Sequence, residues 1–104
     1  MFFGNEKERQ REAVIEGVTR GLLCTGERIQ VFQLEMKGGK VVPEHFHPNE
    51  QAGYIVKGKF EAVIGDEKGM LEEGSYFRIP ANVPHSGFVH EDTILLDIYS
   101  PPRT

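Results

Sequence analysis

Turn-forming residues recur at short intervals along most of the chain, and this spacing restricts the fold more than any other feature. They lie at residues 37–39, 48–49, 57–59, 65–66, 72–74, 80–82 and 91–92. Residues 29–36, 60–64 and 94–99, which lie between these corners, have the short length and apolar patterning of strands. Many short strands joined at Gly and Pro corners are typical of an all-β sandwich or barrel. Residues 5–15 are compatible with a helix, and we expect a short helical turn or an extended arm there.

Size, cysteine content and charge narrow the class of protein further. The 104 residues suffice for one domain with one core. No apolar run approaches the roughly 20 residues of a membrane helix, and the start of the chain lacks the apolar stretch of a signal peptide. Cys24 is the single cysteine, so we expect no internal disulfide, a cytoplasmic location and a buried small side chain at this position. The net charge of −4 argues against a nucleic-acid partner but allows a small anionic substrate.

Histidines provide the strongest chemical signal in the sequence. His45 and His47 are two residues apart, so on a strand both imidazoles project from one face. Gln51 shares that face if the chain stays extended, whereas Glu50 has the opposite parity. His85 follows a rigid corner, residues 80–84, that can direct it into the same cavity. The sequence therefore predicts a metal site made of three imidazole nitrogens and one amide oxygen; the alternative is that these are surface or packed histidines.

The predicted ligands are all neutral, which fixes the electrostatics of such a site. A bound divalent ion keeps its full positive charge and attracts anionic or enolate-like oxygens. Mixed nitrogen and oxygen ligation suits Zn, Mn, Ni, Fe or Co, and the sequence does not choose among these metals.

Two motifs of this chain resemble those of the cupin family. The first is matched by Gly39, His45, His47, Gln51 and Gly58, with glutamine where the family usually has glutamate. The second is matched by Gly74, Pro80, Asn82 and His85, with asparagine where the family has glycine.

The resemblance to cupins implies a fold, a cofactor and an assembly. The fold is a double-stranded β-helix, the jelly-roll or cupin barrel, with one divalent metal ion inside. We expect a single cupin domain over residues 1–104, with an N-terminal arm of about residues 1–20 and a barrel of about residues 21–100. The resemblance also implies a homodimer, and we expect Phe2 and Phe3 to pack on the neighbouring subunit.

A narrower resemblance connects the chain with the small cupins of pectin and alginate degradation. It is carried by residues 41–45, 50–54, 82–86 and 96–103. Members of that group open the ring of 4,5-unsaturated monouronates to give linear keto-aldehydes. The resemblance places Asp97, Tyr99 and Arg103 in the active site, with tyrosine where the group commonly has phenylalanine. Parity agrees for the first two, because Asp97 and Tyr99 share one strand face, opposite to Leu96 and Ile98.

The chemistry of these side chains fits an isomerase-like or lyase-like, metal-dependent enzyme. Asp97 can carry a proton as base and then acid, and the planar fork of Arg103 suits a uronate carboxylate. Each has a structural alternative: Asp97 can end a strand, Tyr99 can be packing, and Arg103 can be a solvated cation near the end of the sequence. Two other functions stay open, namely another metal-dependent cupin enzyme (a dioxygenase or a sugar isomerase) and a non-catalytic module that binds a small ligand.

Overall fold

The computed structural model describes residues 2–103, in which eight β-strands pair in antiparallel fashion and form a barrel. The strands are β1 (Arg11–Ile15), β2 (Val18–Thr25), β3 (Gln30–Met36), β4 (Val41–His45), β5 (Glu50–Ile64), β6 (Glu67–Glu72), β7 (Tyr76–Ile79) and β8 (His85–Ser100). A 3-10 turn, Glu6–Glu8, precedes them. The predicted all-β jelly-roll architecture is confirmed.

The two long strands organise the sheet, whose hydrogen-bonded order is β1-β2-β3-β8-β5-β6. β8 pairs with β5 along most of its length, with β4 near its start and with β3 near its end. β5 pairs in addition with β7 through its first half and with β6 through its second half. This pairing places residues from β4, β5 and β8 at one end of the barrel, although they are far apart in the sequence.

Two of the predicted turns, at residues 57–59 and 91–92, are wrong, because β5 and β8 continue through both positions. The pairing of the two strands is irregular there, with register shifts between Ile55 and Phe60. Gly58 has a φ of 110°, and a Cβ at this position would lie 2.5 Å from the carbonyl oxygen of Asp92 and 2.5 Å from Oγ1 of Thr93. Residues 57–59 and 91–92 therefore lie at an irregularity in the pairing of the two long strands, and glycine allows their close approach there.

The N-terminal region, where we expected a short helical turn or an extended arm, consists of the 3-10 turn and the edge strand β1. After the 3-10 turn, β1 pairs with β2, and β2 begins at Val18, so the expected boundary near residue 20 lies inside a strand. Arg9 fixes this region: its side chain is 2% exposed, and its guanidinium donates to Glu35 on β3 at 2.6 Å. Cys24 is exposed, contrary to expectation, because a register shift between Leu22 and Cys24 changes the face that β2 presents.

The apolar core occupies one end of the barrel interior. Its buried members are Val18, Met36, Ile55, Phe60, Ala62, Val89 and Leu95. The inward face of β8 changes character along the strand, from Val89 and Leu95 in the core to the buried Asp97 and Tyr99. Polar chemistry is thus concentrated at the other end. Among residues 2–103 there is no helix with the length and hydropathy of a membrane span.

Candidate metal centre

Three of the four histidines converge at the polar end of the barrel. His45 ends β4, His85 begins β8, and the two are register partners in the β4–β8 pair. His47 lies in the loop between β4 and β5. Ring centroids are separated by 4.2 Å for His45 and His85, 5.0 Å for His47 and His85, and 6.0 Å for His45 and His47. One ring nitrogen from each lies within 4.8 Å of the others, so one cation can lie between them.

Backbone carbonyls set the tautomer and direction of each ring. Every Nδ1 lies 2.8–3.0 Å from the carbonyl oxygen of a residue two positions away, namely Pro43, Asn49 or Val83. Nδ1 must carry the proton to donate to a carbonyl, which leaves Nε2 with its lone pair. Such contacts are the usual support of histidines that bind metals.

The surroundings of His47 and His85 suit rings that bind a cation through Nε2. Nε2 of His85 is buried and has no hydrogen-bond partner among the described residues. Burial lowers the pKa of both His47 and His85, and the positive charge of Arg103 lowers the pKa of His47 further. Both rings are therefore held in the neutral form that binds metal.

Gln51 completes the predicted ligand set. Its Oε1 lies 3.1 Å from Nε2 of His47. Because Nε2 of His47 is a lone-pair acceptor in the tautomer set by Asn49, two acceptors face each other, an arrangement that a cation between them would stabilise. Glu50, the preceding residue, is exposed on the opposite face, as its parity predicts. The residues present fit a divalent metal ion, and the assignment of these four as its ligands stays a prediction.

Asp97 is coupled to this centre through Gln51. Nε2 of Gln51 donates to Oδ1 of Asp97 at 2.8 Å, and the Tyr99 hydroxyl lies 3.4 Å from Oδ2. Asp97 is 4% exposed. Burial raises the pKa of Asp97 to about 6, although the hydrogen bond from Gln51 opposes the increase. Burial and the neighbouring Asp97 carboxylate also raise the pKa of Tyr99, which therefore remains a neutral donor. A carboxyl group that titrates near neutrality can both accept and donate a proton.

Two buried polar residues that sequence reasoning missed hold the C-terminal tail over the site. Asn49 donates through Nδ2 to the carbonyls of Pro101 and Pro102, at 2.6 and 3.2 Å. Oε1 of Gln30 accepts from the backbone N–H of Arg103 at 2.9 Å. The guanidinium of Arg103 lies over the ring of Tyr99, 5.1 Å from its centroid. Pro48-Asn49 was recognisable from sequence only as a corner, since its partners lie about 50 residues away.

A cavity of about 320 Å³ connects these groups. Its polar residues include His45, Gln51, His85, Asp97 and Arg103. Its deeper walls are apolar and include Phe60, Ala62, Phe77, Ile79 and Leu95. The structure thus brings the seven residues that the sequence predicted for the site close together, and all of them except His47 line this cavity, which is large enough for a small organic molecule.

The comparisons with known proteins agree with this architecture. A family model described as "Cupin domain" matches residues 32–99. The chain is a cupin. An RmlC-like cupin from Shewanella frigidimarina NCIMB 400 superposes with a TM-score of 0.93 at 24% identity, over 99% of this chain and 93% of the other. KdgF from Halomonas sp. superposes with a TM-score of 0.92 at 28% identity, over 97% of this cupin and 94% of KdgF.

A curated relative shares part of the sequence. Quercetin 2,3-dioxygenase from Bacillus subtilis (strain 168) is 35% identical over 63 residues, which are 60% of this cupin and 19% of the dioxygenase. The cupin therefore spans about a fifth of the length of that enzyme.

One departure of this cupin from the family motif has a structural explanation. Asn82, which stands in place of glycine, has a φ of 63°. Asparagine is among the residues that tolerate this left-handed conformation. The N–H of Asn82 donates to the carbonyl of His47 at 2.8 Å, so the second motif supports the loop that carries a histidine of the first.

Proposed function

We propose that this cupin is a metal-dependent enzyme that opens the ring of 4,5-unsaturated uronates to give linear keto-aldehydes. The observation that carries the proposal is the buried Asp97, linked by Gln51 to the histidine cluster and facing the same cavity as Arg103. The likeness to KdgF, a pectin-degradation cupin, over nearly the whole of both chains supports the same substrate class.

The reaction requires a proton to move between two positions. The anomeric hydroxyl loses its proton, the bond between the anomeric carbon and the ring oxygen breaks, and an aldehyde forms. The ring oxygen leaves as an enolate, and a proton added at the enolate carbon yields the ketone. No atoms are gained or lost, so one group that accepts and returns one proton is sufficient.

The side chains of the cavity match these steps. Asp97 takes the proton from the anomeric hydroxyl and delivers it to the enolate carbon. Gln51 and Tyr99 orient the Asp97 carboxylate from its two oxygens. Arg103 binds the uronate carboxylate through its planar fork. His45, His47, Gln51 and His85 would hold a divalent ion, which would supply positive charge to stabilise the negative charge that develops on oxygen.

The test uses purified protein, added divalent metal and the 4,5-unsaturated galacturonate monomer. We expect the ultraviolet absorbance of the unsaturated ring to disappear faster than in buffer. The Asp97→Asn variant should lower kcat by about 100-fold or more while still binding saturated D-galacturonate. Loss of absorbance at the buffer rate, with metal confirmed in the protein, would reject the proposal.

A second candidate, an oxygen-dependent cupin enzyme, is favoured by the apolar inner wall of the cavity. Phe60, Phe77 and Leu95 offer little to a sugar ring but can pack against an aromatic substrate. The relative at 35% identity is named as a quercetin dioxygenase. Oxygen uptake by the iron-loaded protein with quercetin as the probe, and none with the uronate, would favour this candidate. If the uronate binds but neither assay shows turnover, a non-catalytic binding module is the remaining interpretation.

A further inference from the structure

Arg20 places a second guanidinium on the inner wall of the barrel, in the cavity that Arg103 also lines. On β2, Val18 pairs with Met36 and Arg20 pairs with Leu34, so Arg20 belongs to the inward-facing row of that strand. Its side chain is 28% exposed and lines the cavity. Placing a cation on an inward face costs free energy unless the cation has partners. We therefore asked which groups the Arg20 guanidinium contacts.

The contacts of Arg20 leave part of its guanidinium free. Its Nε donates to Oε1 of Glu12 at 2.6 Å, and Glu12 is 62% exposed on the edge strand β1. The guanidinium lies over the ring of Phe32, 4.7 Å from the centroid. Among residues 2–103, no acceptor is hydrogen-bonded to its two terminal nitrogens. These nitrogens form one side of the planar fork, the part that binds oxyanions and paired oxygens.

The two arginines are related through a pair of aromatic rings. Arg20 lies over Phe32 and Arg103 lies over Tyr99, while the two rings pack edge to face with centroids 5.9 Å apart. Asp97 is the register partner of Phe32 and lies on the same inner face as Tyr99. Both guanidiniums therefore line the same cavity as the carboxyl group that the reaction needs, each over one of two neighbouring aromatic rings.

We propose that Arg20 is a specificity-determining residue that forms a two-point clamp with Arg103. The clamp selects a sugar acid that offers a carboxylate at one end and hydroxyl oxygens at the other. Arg103 binds the carboxylate and Arg20 binds the distal oxygens, which fixes the sugar ring across Asp97. The choice of a sugar acid rests on the proposed function, whereas the preference for an anionic, oxygen-rich ligand rests on the two arginines alone.

The experiment distinguishes the effect of losing the Arg20 charge from the effect of losing its ion pair with Glu12. Arg20→Gln and Glu12→Gln both remove the ion pair between these residues, but only the first removes the charge that faces the cavity. Kinetics on the unsaturated galacturonate should give a KM at least tenfold higher for Arg20→Gln, with kcat within threefold of wild type. Glu12→Gln should keep KM within twofold, and Arg20→Lys should lie between because the charge stays while the fork is lost. Thermal melting and metal content confirm that each variant is folded and loaded.

A binding assay distinguishes failure of this inference from failure of the proposed function. Calorimetry with D-galacturonate and its neutral counterpart D-galactose should show that the wild-type protein prefers the acid and that Arg20→Gln binds the acid at least tenfold more weakly. If turnover is absent but this pattern holds, the proposed reaction fails and the clamp stands. An Arg20→Gln variant that equals the wild type in KM or in binding of the acid would overturn the clamp, as would a wild-type protein that binds neither sugar.

Discussion

At the scale of single residues, Gln51 joins the two halves of the site. Its carbonyl oxygen faces His47, and its amide nitrogen donates to Asp97. The glutamate that cupins usually carry at this position would bring a second carboxylate against Asp97 and supply no donor. The amide therefore lets a buried carboxylate lie beside the histidine cluster without like-charge repulsion.

Gln51→Glu is expected to lower the stability of the metal-free protein and to raise its affinity for metal. A second buried carboxylate next to Asp97 should lower the melting temperature of the metal-free protein. It should also tighten binding of Mn²⁺ or Zn²⁺ by about tenfold, because an anionic oxygen attracts a dication more strongly than an amide does. Competition titration with a metal indicator measures the affinity. Glu50→Gln, one residue away on the outer face, should leave the affinity unchanged; equal affinities for wild type and Gln51→Glu would show that residue 51 is not a ligand.

The raised pKa of Asp97 predicts a characteristic dependence of stability on pH. Because its folded pKa of about 6 exceeds the ordinary value near 4, Asp97 favours folding fully below about pH 4 and loses that contribution as the pH rises through 6. Metal-free Asp97→Asn should therefore be more stable than wild type at pH 7.5, by roughly 2–3 kcal/mol, with the difference vanishing near pH 4.

Urea unfolding in the presence of a chelator measures this dependence across the pH range. Asp66→Asn, in an exposed turn, serves as the control and should not change the profile. A wild-type protein that is as stable as Asp97→Asn at pH 7.5 would contradict the assigned burial of the charge.

At the scale of elements, sequence patterns predicted the face on which a side chain lies most successfully where only the spacing along one strand matters. The i, i+2 relation predicted that Asp97 and Tyr99 share the inner face, and both are buried there. Patterns failed where two distant segments meet. Residues 57–59 have the composition of a turn, yet they lie within β5, which pairs with β8 on both sides of this irregular stretch. The hydrogen bonds from Asn49 to the tail were likewise unpredictable, since nothing local specifies a partner about 50 residues away.

Gly58 lies in the irregular stretch of the β5–β8 pair, where a side chain is expected to destabilise the fold. Gly58→Ala should lower the free energy of unfolding by about 2–4 kcal/mol, because both its positive φ and the nearby Asp92 carbonyl oppose a Cβ. Gly39 also has a positive φ, but no atom of residues 2–103 lies close to the position that a Cβ would take there. Gly39→Ala should therefore lower the free energy of unfolding by only about 1 kcal/mol. Gly69→Ala has neither constraint and should change the stability little. Denaturant titration of the three variants measures these values; a Gly58→Ala variant as stable as Gly69→Ala would refute this account of Gly58.

At the scale of the whole molecule, we propose that the outer face of the sheet joins two copies of the chain. Tyr54 and Tyr76 are register partners on β5 and β7, they are 46% and 80% exposed, and Leu96 of β8 lies beside Tyr54. Phe2 and Phe3, near the start of the sequence, are almost fully exposed as well. A small β domain gains stability when such surfaces are buried against a second copy.

Light scattering coupled to size-exclusion chromatography should give twice the chain mass of 11.7 kDa. The double variant Tyr54→Ser/Tyr76→Ser should shift the mass toward that of one chain, whereas Met70→Ser, an exposed apolar residue on β6, should not. A monomeric wild-type protein at micromolar concentration would reject the dimer, and a dimeric double variant would place its interface elsewhere.

We propose that imidazoles from β4, the following loop and β8 together bind a single cation at the polar end of the barrel. Elemental analysis of purified protein, after reconstitution with divalent metal and dialysis, tests it most directly. The fourth histidine provides the control, since His90 lies on the outer surface and contacts Glu61 at 2.8 Å. Wild type and His90→Ala should each retain one equivalent of metal per chain, and His45→Ala/His47→Ala should retain almost none. A wild-type protein that retains no metal, or a double variant that retains a full equivalent, would contradict the account.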